Sequence, residues 1–207
     1  MKFLFFFILI ILSVTGSSQE TTFKIIKDVP ALEGYDLLKD SKGYIWLGHD
    51  LGISRYSGQN FINFSNPQQN ALSMTDLWED NEGKIWCHNF EGQIYYVDQF
   101  KLKLLDAYRF AEEPVYPRIG ICNDELIATS SKGLFVSNTK TFASKYYFLD
   151  EGITALSVLN NQALLYGKGN WYVYRKGEKI KKITAQNFSL SKTGGISLSQ
   201  TGKNRCL

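Results

Sequence analysis

The residue types that most often carry out chemistry are few and scattered in this chain. Its two histidines, His49 and His88, both lie within an internal repeat, and neither is flanked by further ligands at the spacing of a zinc site. The three cysteines, Cys87, Cys122 and Cys206, are odd in number and widely spaced, which is unlike a metal site or a disulfide framework. The sequence therefore predicts no metal and no cofactor, with the histidines in loops and the thiols buried or incidental.

The sequence also lacks the motifs for nucleotide binding, phosphoryl transfer and calcium binding. The segment GKGN, residues 167–170, stands between predicted strands and lacks the spacing of a P-loop. His49 is followed by Asp-Leu-Gly and His88 by Asn-Phe-Glu, so neither heads a phosphoacceptor helix. The acidic turns DSKG, residues 40–43, and DNEG, residues 80–83, lack the six ligands of a calcium loop. They resemble Asp-box hairpins, but their spacing differs and no arginine cluster accompanies them. We expect a protein without enzyme activity.

The composition is that of a folded protein with an aromatic-rich core. The chain has 207 residues, of which 44% are hydrophobic, 14% aromatic and 21% charged, and this is too apolar for a disordered segment. The formal net charge of +3 is too small to favour nucleic acid or an anionic membrane as a partner. We therefore expect no nucleic-acid partner.

The amino terminus carries a pattern typical of export. One positive charge, Lys2, precedes an apolar run from Phe3 to Val14, and small residues follow. Such a run suits the core of a signal peptide and is short for a membrane span. Residues 1–18 are thus predicted to be a signal peptide with Gln19 as the first mature residue, a retained anchor being the alternative. The mature chain is therefore expected to be exported.

The chain repeats itself with a period of about forty residues, which falls in the range of propeller blades. Residues 36–56 align with residues 76–96 without a gap and share eight of 21 positions. Looser copies begin near residues 123 and 160, and a fifth begins near residue 196. The residues that define the repeat are Asp40, Gly43, Trp46, Gly52, Tyr56, Asp80, Gly83, Trp86, Gly92, Tyr96 and Gly133.

The pattern of each repeat predicts antiparallel strands joined by tight turns. Short runs of β-branched and aromatic residues alternate with clusters of Gly, Asn, Asp and Ser. In the first turn Asp40 can accept a backbone hydrogen bond and Gly43 can adopt a positive φ. Ile45 and Trp46 then point to opposite faces of one strand. This favours packing between neighbouring blades, rather than ligand stacking, as the role of the repeated tryptophan.

These observations predict an all-β protein built of four-stranded antiparallel β-propeller blades. About four blades and the start of a fifth are expected within residues 19–207, at approximately 35–65, 74–106, 116–150, 153–184 and 188–207. Because the chain stops as the second strand of the fifth repeat begins, we expect an incomplete propeller that belongs to a longer protein. The alternative is a small four-bladed ring in which Phe23–Lys27 pairs into the last blade. Neither alternative fixes the oligomeric state.

The segment from Phe23 to Ser65 resembles the opening blade of the two-component regulator propeller family. The match rests on Asp40, Gly43, Ile45, Trp46, Gly48, Gly52 and Tyr56. It departs from the family at His49 and at Cys87–His88, where a Gly-Thr pair is usual, and it fades in the later repeats. The resemblance implies the extracytoplasmic sensor region of a Bacteroidetes-like sensor histidine kinase or related regulator, without its membrane and kinase parts. It also implies a place in the periplasm or at the extracytoplasmic face of the inner membrane, with membrane contact only through the longer parent protein. An exported propeller that acts as a protein-binding scaffold is the alternative.

A ligand is expected at one end of the blades. In propellers, the turns between second and third strands line one face together with the connections between blades. Asn66–Ser73 and Tyr108–Pro117 are the connections. Polar and aromatic groups together suit a carbohydrate or another small extracellular ligand. The candidate ligand-binding residues in these turns are His49, Asp50, Phe90, Glu91, Ser131 and Lys132.

Overall fold

The computed structural model describes residues 25–149 and 152–183, together with the backbone of two short strands at 188–190 and 196–198. In this part of the chain the regular structure is β-strand, apart from one turn of 3-10 helix at Phe110–Glu112. Within the same residues no helix is long and apolar enough to cross a membrane. The predicted signal peptide, Cys206 and the carboxyl-terminal end of the fifth repeat lie outside the described residues.

Four antiparallel sheets of four strands follow one another along the chain, and the strands of each sheet pair in sequence order. The all-β, four-stranded blade architecture predicted from the repeat is therefore confirmed. Blade 1 comprises β1 (Gly34–Lys39), β2 (Ile45–His49), β3 (Gly52–Tyr56) and β4 (Phe61–Phe64), and blade 2 comprises β5 (Met74–Glu79), β6 (Ile85–Asn89), β7 (Ile94–Asp98) and β8 (Lys101–Leu104). Blade 3 comprises β9 (Ile119–Cys122), β10 (Glu125–Ser130), β11 (Gly133–Asn138) and β12 (Ser144–Phe148), and blade 4 comprises β13 (Ala155–Leu159), β14 (Gln162–Gly167), β15 (Asn170–Tyr174) and β16 (Lys181–Ile183). A separate hairpin pairs β17 (Phe188–Leu190) with β18 (Ile196–Leu198).

The first turn of blade 1 is a compact unit organised by one carboxylate. Asp40 Oδ1 accepts hydrogen bonds from the backbone N–H groups of Lys42, at 3.0 Å, and Tyr44, at 2.8 Å. Its other oxygen, Oδ2, accepts the indole N–H of Trp46 at 2.8 Å. Gly43 closes the turn at φ +87°, a backbone conformation that a side chain would strain. The Asp-x-x-Gly turn and the tryptophan are thus one hydrogen-bonded structure.

Blade 2 contains the same hydrogen-bonded turn, with Asp80 and Trp86 in place of Asp40 and Trp46. Asp80 Oδ1 accepts from the N–H groups of Glu82 and Lys84, at 2.9 and 3.0 Å, and Oδ2 accepts the indole N–H of Trp86 at 2.9 Å. Asp80 is almost completely buried. A carboxylate can be buried in this way because three donors replace its hydration. The identity of the aspartate and tryptophan in both repeats follows from this shared requirement.

In blade 2, alternating side chains of the second strand pack against different neighbouring blades. In β6, Ile85 and Cys87 join the core between blades 1 and 2, together with Trp46. Trp86, on the opposite face of the same strand, joins the core between blades 2 and 3, where Phe135 also packs. The tryptophans therefore lie in packing between blades, as their position on the strand predicts.

A second repeated aspartate joins successive blades through the backbone. Asp36 in β1 accepts the N–H of Leu77 in β5 at 2.6 Å, and Asp76 in β5 accepts the N–H of Ile119 in β9 at 2.8 Å. Each aspartate lies where the first strand of its blade has an irregular register. The first strands of successive blades lie side by side, and this hydrogen bond fixes their relative position.

The repeat differs from its gap-free alignment in one respect. Trp46 pairs across the sheet with Arg55, whereas Trp86 pairs with Tyr96. Tyr96 is therefore the counterpart of Arg55, and the alignment of Tyr56 with Tyr96 is wrong by one residue. The reason is that the turn between the second and third strands is one residue longer in blade 2 than in blade 1.

The glycines of these turns consequently differ in role. Gly52 and Gly133, at φ +136° and +141°, are the first residues of their strands and pair with His49 and Ser130. Gly92 lies within the longer turn at φ +84°. All three nevertheless adopt a positive φ at the turn between the second and third strands.

Two thiols are enclosed within the described blades. Cys87 and Cys122 are buried and free. Burial raises the pKa of both, that of Cys122 to about 11, because a thiolate is poorly solvated in an apolar core. Both are therefore packing residues at neutral pH rather than nucleophiles.

Candidate functional site

The connections between blades fold over one end of the sheets and form what we call the connector face. It comprises residues 66–73 and 108–117 and the turns that follow β2, β6 and β10. Ser73 Oγ donates to the carbonyl of Asp50 at 3.4 Å. Gln93 Nε2 donates to the carbonyl of Gln68 at 2.8 Å, and Asn70 N–H donates to Gln93 Oε1 at 2.7 Å. The first connection is thus fixed to the turns of blades 1 and 2.

The second connection bridges blades 2 and 3 in the same manner. Glu113 accepts the hydroxyl of Ser130 at 2.7 Å and the N–H of Ser131 at 2.6 Å. A Cβ on Gly92 would lie 3.5 Å from the Tyr116 Cα and from the Pro117 ring, so this connection lies against the turn of blade 2. The connector face is therefore continuous across three blades.

Three aromatic rings form an exposed line across this face, which we call the aromatic strip. Tyr35 of β1 contacts Phe90 with ring centroids 4.9 Å apart, and Phe90 stacks on Tyr116 at 5.7 Å. Phe90 and Tyr116 each remain 41% exposed and Tyr35 36%. Beneath them the buried His88 ring stacks on Tyr116 at 5.4 Å. A row of rings exposed to this extent offers a flat apolar surface to a ligand.

The strip ends at a small pocket of about 200 Å³. This volume is below the range of about 300–1,000 Å³ that encloses a drug-sized ligand, so a larger ligand would lie across the strip and place only one group in the pocket. Tyr116 borders both features. The pocket is lined by residues 113–116, 129–131, 152–154 and Lys168.

His49 is enclosed at the end of a strand, so the prediction that it lies in a loop is wrong. It is the last residue of β2 and only 2% exposed. Ser54 donates its hydroxyl proton to Asn63 Oδ1 at 2.7 Å and so accepts from His49 Nε2 at 2.7 Å. Nδ1 accepts the N–H of Leu51 at 3.2 Å. Both ring nitrogens are thereby used, and His49 is a structural residue in its neutral form.

The burial of His49 in this hydrogen-bonded network predicts how the stability of the fold depends on pH. Burial lowers the pKa of His49 below its ordinary 6.5, against the opposing effect of Asp50, whose carboxylate lies 3.8 Å from Nδ1. Below pH 6.5 the unfolded chain takes up a proton before the folded chain does, so stability is present above pH 6.5 and falls as the pH is lowered. We expect the stability of His49→Gln to fall less steeply as the pH is lowered. Urea denaturation at several pH values measures this dependence. An undiminished slope in the variant would assign the decline to other groups.

The remaining candidate residues lie in the expected turns, with different environments. Asp50 is held at the edge of the face, because its Oδ1 accepts the N–H groups of Leu32 and Glu33 at 3.3 and 3.4 Å. Glu91, Ser131 and Lys132 are exposed, as is Phe90. The structure brings Phe90 into the aromatic strip. Lys132 pairs with Glu112, at 3.7 Å, beside the second connection.

Sequence reasoning did not single out the other two rings of the strip. Tyr35 lies in a first strand, where an apolar side chain is ordinarily expected to pack inside, and Tyr116 was included only as part of the second connection. The one signal in the sequence was the position of Tyr116 between Val115 and Pro117, two residues that favour an extended, exposed segment. Contact between rings of different blades carries no local signal.

Metal chemistry has no evident site in the described part of the chain. Among residues 25–149 and 152–183, no three or more His, Cys, Asp and Glu side chains are grouped to hold an ion. The carboxylates of the connector face instead serve its hydrogen bonding, as Glu113 and Asp50 show.

The four-stranded blades and the face built from their connections define the class as β-propeller. Comparison with known proteins adds no family by sequence, because the chain matches no protein-family profile and no curated protein. Solved structures do match its fold. One is the extracellular domain named as that of the hybrid two-component system BT4673 from B. thetaiotaomicron, with a TM-score of 0.62 and 16% identity over 83% of this chain.

Two further structures show the range of these matches. The extracellular domain of the protein named as hybrid two-component system BT3049, also from B. thetaiotaomicron, has a TM-score of 0.57 and 18% identity over 84% of this chain. Virginiamycin B lyase from Staphylococcus aureus, an enzyme, has a TM-score of 0.62 and 12% identity over 86% of this chain and 73% of its own. At such identities these likenesses establish the propeller fold. The extracellular domains agree with the two-component regulator propeller resemblance noted in the repeats.

This chain is short beside these two extracellular domains. It spans 29% of the BT4673 domain and 27% of the BT3049 domain. The four blades thus correspond to less than a third of each of those domains.

Proposed function

We propose that this chain is part of the extracytoplasmic sensor region of a signal-transduction receptor of the sensor histidine kinase type. The fold likeness to extracellular domains of two-component systems supports this assignment, as does the Asp-x-x-Gly-x-Ile-Trp repeat. In this proposal a membrane helix and a transmitter domain belong to a longer parent protein. The apolar run at residues 3–14 directs the sensor region across the membrane.

The aromatic strip is the observation that carries a ligand-binding role. A sugar ring has a C–H face that packs on an aromatic ring, and hydroxyl groups around its edge that need polar partners. Phe90 and Tyr116 supply rings at the strip, and the exposed Glu91 and Ser131 supply polar groups in neighbouring turns. A carbohydrate is therefore the ligand class that we propose. Because the strip crosses blades 1, 2 and 3, a bound sugar would also bridge them.

Loss of a ring from the strip is expected to weaken carbohydrate binding. With neutral hexasaccharides of mannose, xylose and glucose as probes in calorimetry, Phe90→Ala and Tyr116→Ala should each reduce the affinity for a bound probe by about five- to tenfold. Phe148→Ala is the matched control, since Phe148 is 73% exposed on β12 outside the strip and its loss should leave affinity unchanged. If all three variants bind as the wild type does, the strip is not the carbohydrate site.

A protein-binding scaffold is the second candidate function. Four aliphatic side chains on or beside the connector face are more than half exposed, and apolar groups gathered on one face are typical of protein-binding surfaces. These are Leu32, Leu51, Leu72 and Val115. The coding frame beyond codon 207 discriminates the two candidates. A membrane helix and transmitter domain in that frame would support the sensor, and a stop codon there in several isolates would favour the scaffold.

A further inference from the structure

Arg55 occupies an unusual environment at the boundary between blades 1 and 2, at the other end of the sheets from the connector face. Its guanidinium carbon lies 4.3 Å from the ring centroid of Tyr44 and 4.8 Å from that of Phe100. The Trp46 ring is 5.8 Å away. Tyr44 and Trp46 belong to blade 1, and Phe100 belongs to the last turn of blade 2. Contacts of this kind hold the planar guanidinium in a fixed orientation.

The hydrogen-bonding capacity of Arg55 is left unused. Within the described residues the Arg55 side chain forms no ion pair and no hydrogen bond, and its Nε is buried without an acceptor. Arg109 and Arg175, by contrast, each pair with a glutamate at 3.6 and 3.7 Å. A guanidinium is charged at every accessible pH and carries five donors. Nε is the one guanidinium nitrogen that is buried without a partner, so the terminal nitrogens remain accessible to an acceptor from outside the chain.

The guanidinium lies at a pocket of about 290 Å³ between the two blades. The floor is apolar, and the rim carries charged groups from turns of both blades. The lining residues are Lys42, Trp46, Arg55, Phe64, residues 82–84 and residues 97–100. The pocket is thus large enough for a small organic anion.

A second free cation lies at the rim of this pocket. Lys42 has no ion pair within the described residues, and its ammonium lies beside Gly83 of blade 2, 3.8 Å from where a Cβ would be. The carboxylates of the rim are already neutralised. Glu82 pairs with Lys84 at 2.6 Å and with Lys140 at 3.3 Å.

The other carboxylate of the rim, Asp98, pairs with Lys103 at 2.8 Å. Arg55 and Lys42 consequently remain as positive charges without partners. Glu79 Oε1 also lies near Gly83, 3.7 Å from the same Cβ position, and its carboxylate accepts from Ser41. The two cations exceed this single negative charge, so the potential in the pocket favours an anion.

We propose that this pocket binds an oxyanion, a carboxylate or sulfate group, with the guanidinium edge of Arg55 as its bidentate donor and Lys42 as a second cation. The planar fork of arginine matches the two oxygens of such a group. A cation–π clamp between blades would account for the stacking alone, and it leaves the terminal donors of Arg55 and the unpaired ammonium of Lys42 without a role. The site is separate from the connector face and does not depend on the sensor assignment.

Calorimetric titration of the purified full chain tests this site with three probes. D-glucuronate carries the carboxylate on a sugar, inorganic sulfate is a free oxyanion, and D-glucose is the neutral match for glucuronate. We expect saturable binding of glucuronate, and none of glucose. Binding of sulfate as well would make the oxyanion alone sufficient, and its absence would assign the site to sugar acids. Equal binding of glucose and glucuronate, or no saturable binding of either anion, would overturn the proposal.

Variants separate the anion site from a structural clamp. Arg55→Gln should weaken glucuronate binding by about tenfold and Lys42→Gln by about threefold, because a hydrogen bond to a charged group is lost in each case. Arg55→Lys keeps the charge but not the fork, and should also bind more weakly than the wild type. Lys103→Gln is the control, since that lysine is already paired with Asp98. Retention of wild-type affinity in Arg55→Lys and Lys42→Gln would contradict the site even if Arg55→Gln did not fold.

Discussion

Replacing Trp86 with alanine is expected to lower the free energy of unfolding by about 3–5 kcal/mol. The Trp86 side chain is completely buried and stacks near Tyr96, with ring centroids 4.9 Å apart, and Phe142, at 6.3 Å. Its removal leaves a large cavity in the core between blades 2 and 3 and removes one of the three donors of Asp80. Equilibrium urea denaturation followed by circular dichroism measures the loss.

A double-mutant cycle with Asp80 shows how much of this loss belongs to the shared hydrogen bond. Asp80→Ala alone should cost about 2–3 kcal/mol, because the indole N–H and two turn N–H groups lose their acceptor. The double variant should be more stable than the sum of the single losses implies, by about 1 kcal/mol or more. Asp106→Ala, at an exposed aspartate, is the control and should change stability by less than about 0.5 kcal/mol. Strict additivity would show that the turn and the tryptophan are independent.

The second large effect is expected at Gly48, where the backbones of two blades approach each other. A Cβ at this position would lie 2.6 Å from the carbonyl oxygen of Met74 and 3.2 Å from its carbonyl carbon. These are backbone atoms of β5 and cannot rotate away, so Gly48→Ala must separate the first two blades or distort β2. We expect a loss of about 3 kcal/mol in the free energy of unfolding, as for an overpacked core.

Gly34→Ala is the matched control for Gly48. A Cβ there meets the end of the Leu47 side chain, at 3.3 Å, and a side-chain terminus can rotate to make room. Its effect on the urea midpoint should therefore be small. If Gly48→Ala were tolerated as well as Gly34→Ala, the close approach of the two blades would not be a constraint in solution.

The blade itself could be predicted from the sequence because its determinants are local. Asp40 and Trp46 are six positions apart and meet through one turn, and Gly43 between them supplies the positive φ. The repetition of this unit at Asp80 and Trp86 indicates one architecture used twice. Alternation along the strand then places successive side chains toward different neighbouring blades, so packing of both tryptophans between blades follows from the pattern.

The pairing of the second and third strands in blade 2 could not be predicted from the sequence. Gly52 and Gly92, and likewise Tyr56 and Tyr96, are identical in a gap-free alignment, and identity concealed the extra residue in the turn of blade 2. Strand pairing is set by backbone hydrogen bonds across the turn, and a single inserted residue shifts every pair beyond it. Only the observed pairing of Trp86 with Tyr96 shows the shift.

What the sequence by itself determined is the repeating turn, strand and tryptophan unit, and hence four-stranded blades in the described chain. What only the tertiary structure decided is which side chains face solvent. His49 occupies a position that suits a loop, yet the hydroxyl of Ser54 fixes it inside the blade. Tyr35, Phe90 and Tyr116 come from distant parts of the chain and meet only because neighbouring blades lie side by side. Local hydrogen bonds specify a turn, whereas a surface shared by several blades depends on how those blades pack.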